Sequence, residues 1–351
     1  MGCLVRECFR VVSFGMVLAA SVCGAGPLDR KGQLQHFKNM VDFQGSGESP
    51  EDHSFGQSSS EEKWLQTALK TSRYNADGDK AGRGQCGVMK VVGGQVADGD
   101  RWPWQAELVV KKTGAHLCGG TVVGNEHVLT AAHCFDRFHE NEIIVRLGTR
   151  NRNHRGGNEQ VYPISCLHIH SKYIRETKTN SIDYDIALLR LNTPVSKTSE
   201  PRGVVFNEHV APACLPSRGE FKADAKCMVT GWGYTDFMSL ITSRMPSQLT
   251  EASVPLLRTR TCRDAYPSLT SRMVCAGYME GDVRADTCKG DSGGPLVCQS
   301  EDGRWKLWGV TSWGRNYFCN QSPTDPAPGV YTRVDKFVNW IEKKMSKRGC
   351  S

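Results

Sequence analysis

Gly290-Asp291-Ser292-Gly293-Gly294-Pro295 sets one serine hydroxyl among glycines that leave the backbone open. Serine is a poor nucleophile by itself. It needs a base to take its proton and donors to hold the oxyanion that forms on the attacked carbonyl. Glycine at 290 and 293 lets the chain turn tightly, so that backbone N–H groups can converge on one point. Read alone, the hexapeptide is an ordinary turn, because Gly, Asp and Ser are all turn formers.

Two distant segments change that reading. Leu129-Thr130-Ala131-Ala132-His133-Cys134 is an apolar run that delivers one histidine beside a cysteine. Asp183-Tyr184-Asp185-Ile186-Ala187-Leu188-Leu189 carries an aspartate into a strand-like apolar run. Histidine, aspartate, then serine is the chain order of one of the unrelated triad families. On these motifs the chain resembles the chymotrypsin-like (trypsin-type) serine proteases, clotting-type members included, from Val91 to about Cys350.

The resemblance implies a role for each residue. Ser292 would be the nucleophile, His133 the general base and then acid, and Asp185 the group that orients and stabilises the imidazolium. The N–H groups of Gly290 and Ser292 would form the oxyanion hole, a contribution of roughly 3 kcal/mol per donor. Asp183 is the rival carboxylate; Asp185 is preferred because it directly precedes the Ile186 to Leu189 run, as in the family. Ser312 matches the serine that supports the buried aspartate. Asp286 falls six residues before Ser292, where the family puts the base of its primary specificity pocket. Its plain alternative is a surface acid near Cys288. A carboxylate in a slot attracts the charged end of arginine or lysine, so cleavage after Arg or Lys follows. Thr287 adds a hydroxyl to that pocket, Gly314 and Gly329 match its wall positions, and Trp313 belongs to the same substrate site.

Lys90-Val91-Val92-Gly93-Gly94 resembles the family's activation junction. Cleavage after Lys90 would free the α-amino group of Val91 to pair with Asp291. Lys90 also suits the chain's own pocket, which allows self-activation as well as an activating protease. Ahead of this junction, residues 1–24 have the layout of a secretory signal peptide: Arg6 and Arg10, an apolar run from Val11 to Val22, then small residues. That run is too short to span a bilayer comfortably. Residues 25–90 read as a propeptide, largely disordered, with polar stretches such as Ser58-Ser59-Ser60-Glu61-Glu62 that bury too little apolar area to fold. Residues 91–351 form the protease domain, and the protein is expected to be secreted.

Fifteen cysteines fit an oxidising compartment. Cys3, Cys8 and Cys23 fall in the leader, leaving twelve from Cys86 onward. The resemblance implies Cys118–Cys134, Cys227–Cys298, Cys262–Cys275 and Cys288–Cys319. It also implies Cys86–Cys214, a tether that keeps the propeptide attached after cleavage. Cys166 and Cys350 lie outside the family's usual set, and their mutual pairing is a hypothesis.

The net charge of +7 is modest. Arg150, Arg152, His154 and Arg155 crowd one loop, and Lys336, Lys343, Lys344, Lys347 and Arg348 load the last segment. Solvated charge on a loop and a helix end accounts for both; the sharper reading is a surface for heparin-like glycans. No nucleic-acid motif or membrane-spanning run accompanies them. The implied partners are protein substrates and protein inhibitors. No cofactor is expected. Thr149 and a basic loop stand where calcium-binding relatives carry acidic ligands, with Glu159 alone matching, so no metal is expected.

Short apolar runs recur between turn formers: Gln105 to Val110, His127 to Thr130, Ile143 to Leu147, Ile186 to Leu191, Cys227 to Thr230, Pro295 to Cys298, Leu307 to Thr311 and Gly329 to Val334. This pattern argues for an all-β barrel or sandwich without choosing between them. The resemblance implies two six-stranded Greek-key β-barrels with a C-terminal helix and the site in the cleft between them. For that helix, Asp335 serves as N-cap, with Phe337 or Val338, Ile341 and Met345 on one face. A different class of function is a catalytically silent, protease-like binding protein that uses its basic surface.

Overall fold

A computed structural model describes residues 86–89, 101–153, 157–175, 182–193, 203–235, 237–279, 286–314, 327–347 and 349–350. All fall within one compact unit, Ser58–Ser351. The leader, most of the propeptide, Lys90, Val91, His154, Arg155, Cys319 and Arg348 lie outside the described residues.

The first sheet holds six strands: β1 (Gln105–Val110), β2 (His116–Gly124), β3 (His127–Thr130), β4 (Ile143–Leu147), β5 (Gln160–Ile169) and β8 (Ala187–Leu191). They close into a barrel in the order β1-β2-β3-β8-β5-β4, and every pairing is antiparallel. Alternation explains the inward faces. In β5, Tyr162, Ile164, Cys166 and His168 are buried while Val161, Pro163 and Ser165 are exposed. Between β5 and β8 sits a small hairpin of β6 (Ile174–Arg175) and β7 (Ile182–Asp183).

The second sheet comprises β9 (Lys226–Gly231), β10 (Thr250–Pro255), β11 (Met273–Ala276), β12 (Pro295–Gln299), β13 (Trp305–Trp313) and β14 (Gly329–Arg333). Its order, β10-β9-β12-β13-β14-β11, is the cyclic order of the first barrel opened between its second and third strands. The fold is thus mostly β with two six-stranded sheets, one a closed barrel and the other strongly curled. Its edges meet at one end, where the Leu257 N–H donates to Cys275 O and the Gly277 N–H to Pro255 O, at 2.9 and 3.0 Å. A full ladder does not form there, and Pro255 has no N–H to extend one.

Trp104, Leu108, Leu129, Val145 and Ile186 fill the first barrel, and Val229, Leu296, Trp308 and Tyr331 fill the second. Two short helices, α1 (Phe237–Ile241) and α2 (Thr259–Ala265), lie in the connections on either side of β10. The last helix, α3 (Val338–Met345), buries Ile341 against the first barrel together with Phe337. Asp335 does not cap it. Phe337 stands at the N-cap without a side-chain cap, and Asp335 instead accepts both Arg333 guanidinium N–H groups at 2.7 and 3.0 Å. Its Oδ2 also accepts the Gly219 N–H at 2.9 Å, so a buried ion pair has claimed the carboxylate.

Four disulfides join Cys86–Cys214, Cys118–Cys134, Cys227–Cys298 and Cys262–Cys275. A fifth, Cys166–Cys350, ties the chain end to β5 with the Cα atoms 5.4 Å apart. Cys288 is also disulfide-bonded, and the partner expected for it, Cys319, is outside the described residues. The two sheets touch where β1 meets β9, through Thr230 Oγ1 donating to Gln105 Oε1 at 2.6 Å.

Candidate active site

His133 sits in a single 3-10 turn, Ala132–Phe135, just after β3. The Cys118–Cys134 bridge fastens that turn to β2. The His133 main-chain N–H donates to Asp185 Oδ1 at 2.9 Å, and its Nδ1–H to Asp185 Oδ2 at 2.7 Å. Two bonds to one carboxylate fix both the position and the tautomer of the ring, leaving Nε2 as the basic nitrogen. Asp185, at the entry to β8, is completely buried. The second sheet holds it from the other side: Ser312 Oγ donates to Oδ2 at 2.5 Å, and Thr332 Oγ1 to the Asp185 carbonyl at 2.7 Å.

Burial alone would push the His133 imidazole down, but the charge of Asp185 and its hydrogen bond hold it above the usual 6.5. Burial works to raise the Asp185 carboxyl, and the His133 charge, with bonds from His133 and Ser312, outweighs it and lowers it. The rival carboxylate, Asp183, faces elsewhere. It accepts the Arg272 Nε–H at 2.9 Å and the Nη2–H at 2.5 Å.

The Ser292 turn, which opens β12, is seated against this histidine turn. The Gly119 N–H of β2 donates to the Ser292 carbonyl at 2.8 Å. Gly293, at φ +77°, lies so close to the first barrel that a Cβ there would meet Thr130 Oγ1 at 2.2 Å and the Ala131 nitrogen at 3.1 Å. Only glycine allows that approach, and it brings the serine alongside the residues that carry His133. Gly290 is also left-handed, at φ +102°, and its carbonyl accepts the Nε2–H of His116 at 2.8 Å. Buried Glu107 holds the other His116 nitrogen at 2.9 Å.

Asp291 is buried beneath the turn, with Oδ1 accepting the Gly233 N–H at 2.8 Å and Oδ2 the Cys288 N–H at 2.9 Å. Burial raises its carboxyl above the ordinary value against those two bonds. Among the described residues no cation pairs with Asp291. It lines a cavity of about 160 Å³ together with Asp286, Thr287, Gly233 and Glu251. Asp286 is pushed up to about 8, chiefly by burial and in part by the Asp291 charge, while the N–H groups of Thr287 and Gly329 oppose the rise. Gly329 packs directly on Asp286, since a Cβ there would meet Asp286 Oδ1 at 2.5 Å. Thr287 Oγ1 lies 3.2 Å from the Tyr331 hydroxyl. Trp313 packs edge-on against Tyr266 with ring centroids 5.0 Å apart, and Gly314 has room around it. Glu159, the one matching residue of the calcium-type loop, is taken up by Arg146 and by Thr149 Oγ1 at 3.0 Å.

The structure therefore brings His133, Asp185 and Ser312 into direct contact, docks the Ser292 turn beside them, and gathers Asp286, Thr287 and Asp291 around one cavity. Thr332, His116, Glu107 and Gly233 escaped the sequence reading. Thr332, His116 and Gly233 act on partners more than 50 residues away, and Glu107 acts through His116, so no local motif marks them.

A protein-family model described as Trypsin matches residues 91–341. The chain belongs to the trypsin family. Its serine protease domain has relatives in the atrial natriuretic peptide-converting enzymes of Mus musculus and Homo sapiens, each 36% identical over 73% of this chain. Coagulation factor XI of Bos taurus is 38% identical over the same share. The chain spans 21% and 22% of the two converting enzymes and 38% of factor XI. A trypsin-family fold implies protein substrates.

Proposed function

We propose that the protein is a secreted serine endopeptidase, made as a zymogen, that cleaves after Arg or Lys once the Lys90–Val91 bond is cut. The observation that supports catalysis best is the doubly bonded His133–Asp185 pair with the Ser292 turn docked against it. Ser292 Oγ attacks the scissile carbonyl and its proton passes to His133 Nε2. The N–H groups of Gly290 and Ser292 hold the oxyanion, while Asp185 holds the imidazolium. His133 then gives the proton to the leaving amine, and water hydrolyses the acyl-enzyme by the same route in reverse. Asp286 supplies the charge that selects Arg or Lys, and binding that cation draws Asp286 into its ionised form.

Activation has its own support. Residues 86–89 are anchored by Cys86–Cys214, by the Gly87 N–H on Pro212 O at 2.8 Å, and by buried Met89, so the segment before Lys90 stays attached after cleavage. Beyond the cut, Arg101 Nη1 and Trp102 Nε1 bind Glu251 at 2.7 and 2.6 Å, on the wall of the Asp291 cavity. The ten residues from Val91 to that anchor reach roughly 33–36 Å when extended, ample to carry the new ammonium to Asp291. By analogy with relatives named as peptide-converting enzymes, the substrate class we propose is a protein or peptide converted by cleavage after Arg or Lys.

The test uses Lys90-cleaved protein with Val91 verified as the new N-terminus. Fluorogenic Arg and Lys peptides should turn over, a fluorophosphonate probe should label Ser292, and Ser292→Ala should lose both. Folded, cleaved protein that neither labels nor turns over would establish the binding-protein reading instead. Cleavage of purified Ser292→Ala at Lys90 as fast as wild type would show that self-activation is not required.

A further inference from the structure

Tyr184 has φ +53°, in the left-handed region, between Asp183 and the triad carboxylate Asp185. A bulky aromatic residue rarely adopts that conformation, and strain of this kind persists only where the surroundings hold it. Here they do. Two groups hold the Tyr184 ring: the His170 imidazole stacks on it at 4.8 Å between centroids, and the Arg272 guanidinium carbon lies 4.3 Å from the ring centroid. His170 is itself fixed, its N–H on Ile186 O at 3.1 Å and its ring against Phe337 and Trp340 at 5.4 and 5.2 Å.

The guanidinium that covers Tyr184 with its face also grips Asp183 with its edge, through Nε and Nη2. Arg272 belongs to the second sheet: it immediately precedes β11, and its carbonyl accepts the Arg333 N–H at 2.8 Å. Arg333 follows Thr332, the residue that holds the Asp185 carbonyl. Three consecutive residues, Asp183 to Asp185, between β7 and β8 are thus held from the side of the second sheet. The left-handed turn between them decides where the Asp185 carboxylate points.

We infer that Arg272 and Tyr184 are positioning residues for the triad: one guanidinium, bonded to Asp183 and stacked on Tyr184, locks the strained turn that aims Asp185 at His133. This rests on the catalytic reading of His133, Asp185 and Ser292. Releasing the clamp lets Tyr184 return to φ below zero, which rotates the 184–185 peptide and carries the carboxylate off the imidazole. His133 would then lose the interaction that holds it above 6.5. The other charged groups around its ring, Asp136 and Arg175, stay in place.

The experiment compares wild type, Arg272→Met, Arg272→Lys and Tyr184→Phe as Lys90-cleaved protein on one Arg peptide. Arg272→Met should lower kcat about tenfold with KM changed less than about twofold, and the acid limb of kcat/KM should move to lower pH. Arg272→Lys should recover part of the loss by restoring charge at Asp183, and Tyr184→Phe should match wild type because it keeps the ring. A fall in Tm with kcat and the acid limb unmoved in Arg272→Met would overturn the inference, leaving Arg272 as barrel-docking structure. If Arg272→Met does not fold, Tyr184→Val, which lacks the ring and as a β-branched residue resists this φ, carries the same expectation and the same refutation. Wild type that turns over no better than Ser292→Ala would sink the catalytic reading itself, a separate result from an active wild type with an unmoved acid limb in the variants.

Discussion

Asp291→Asn isolates the ion pair on which activation is proposed to depend. The substitution is isosteric, which matters because the site has no spare room: a Cβ on Gly231 or Gly233 would come within 2.0 or 2.4 Å of the Asp291 carboxylate oxygens. Asparagine keeps that shape but offers one acceptor oxygen in place of two. One of the two N–H groups now bonded to Asp291, from Gly233 or Cys288, would face an amide NH2. An unsatisfied buried donor costs roughly 1–3 kcal/mol. The larger effect is loss of the partner for the Val91 ammonium, roughly 3–5 kcal/mol for breaking a buried pair. That term alone lowers the competent population by about 10² to 10⁴-fold. The assay is kcat on an Arg peptide after verified cleavage at Lys90, with cyanate carbamylation of the Val91 amine as an independent measure. Wild type should be active with its amine protected; the variant should be nearly inactive with its amine modified. A cleaved Asp291→Asn protein that turns over at the wild-type rate would refute the activation reasoning and leave Asp291 as a plain turn residue.

Three further expectations follow from the same geometry. Because general base catalysis needs neutral His133, kcat/KM should rise as pH rises through a midpoint above 6.5, and Asp185→Asn should drop that midpoint by leaving burial unopposed; a wild-type midpoint well below 6.5 would contradict the His133–Asp185 pairing. Ser312→Ala removes a charge-assisted hydrogen bond on Asp185, roughly 1.5–3 kcal/mol, and should lower kcat about 10 to 100-fold without abolishing folding by thermal melt. Gly329→Ala drives a methyl onto Asp286 and Tyr331, whose Oδ1 and hydroxyl lie 2.5 and 3.0 Å from the added Cβ. Blocking a buried charge from its partner costs roughly 2–5 kcal/mol, so Arg and Lys peptides should lose most of their kcat/KM while citrulline analogues change little.

Legibility in the sequence varied by element, for physical reasons. Gln105–Val110, His127–Thr130 and Ile143–Leu147 could be read as strands because dense apolar runs end at turn formers. β2, β5, β10 and β11 could not. β2 carries Gly119 and Gly120 at its centre, which weakens any strand signal. Those glycines serve contacts made far away, since a Cβ on Gly119 would press on Gly294 beside the serine turn at 2.9 Å. β5 contains Pro163, tolerated because it falls just outside the register with β8, which begins at Ile164, so its missing N–H leaves no ladder bond unmade there. Asp335 looked like a helix cap by position, yet a guanidinium two residues upstream and a distant N–H outbid the helix for it.

By itself the chain determined which reactive groups exist, their order along the polymer, and the short glycine-bearing turns that keep Ser292 and Gly290 open. Family membership could be read from those local motifs alone. The tertiary structure decided which carboxylate meets the imidazole, which carboxylates share a cavity, and what holds Tyr184 in its left-handed turn. Those choices rest on contacts of 2.5–2.9 Å between Asp185, His133 and Ser312, separated by up to 127 residues. Hydrogen bonds tolerate only tenths of an ångström, and that placement comes from strand register and barrel closure, which no local run of residues encodes.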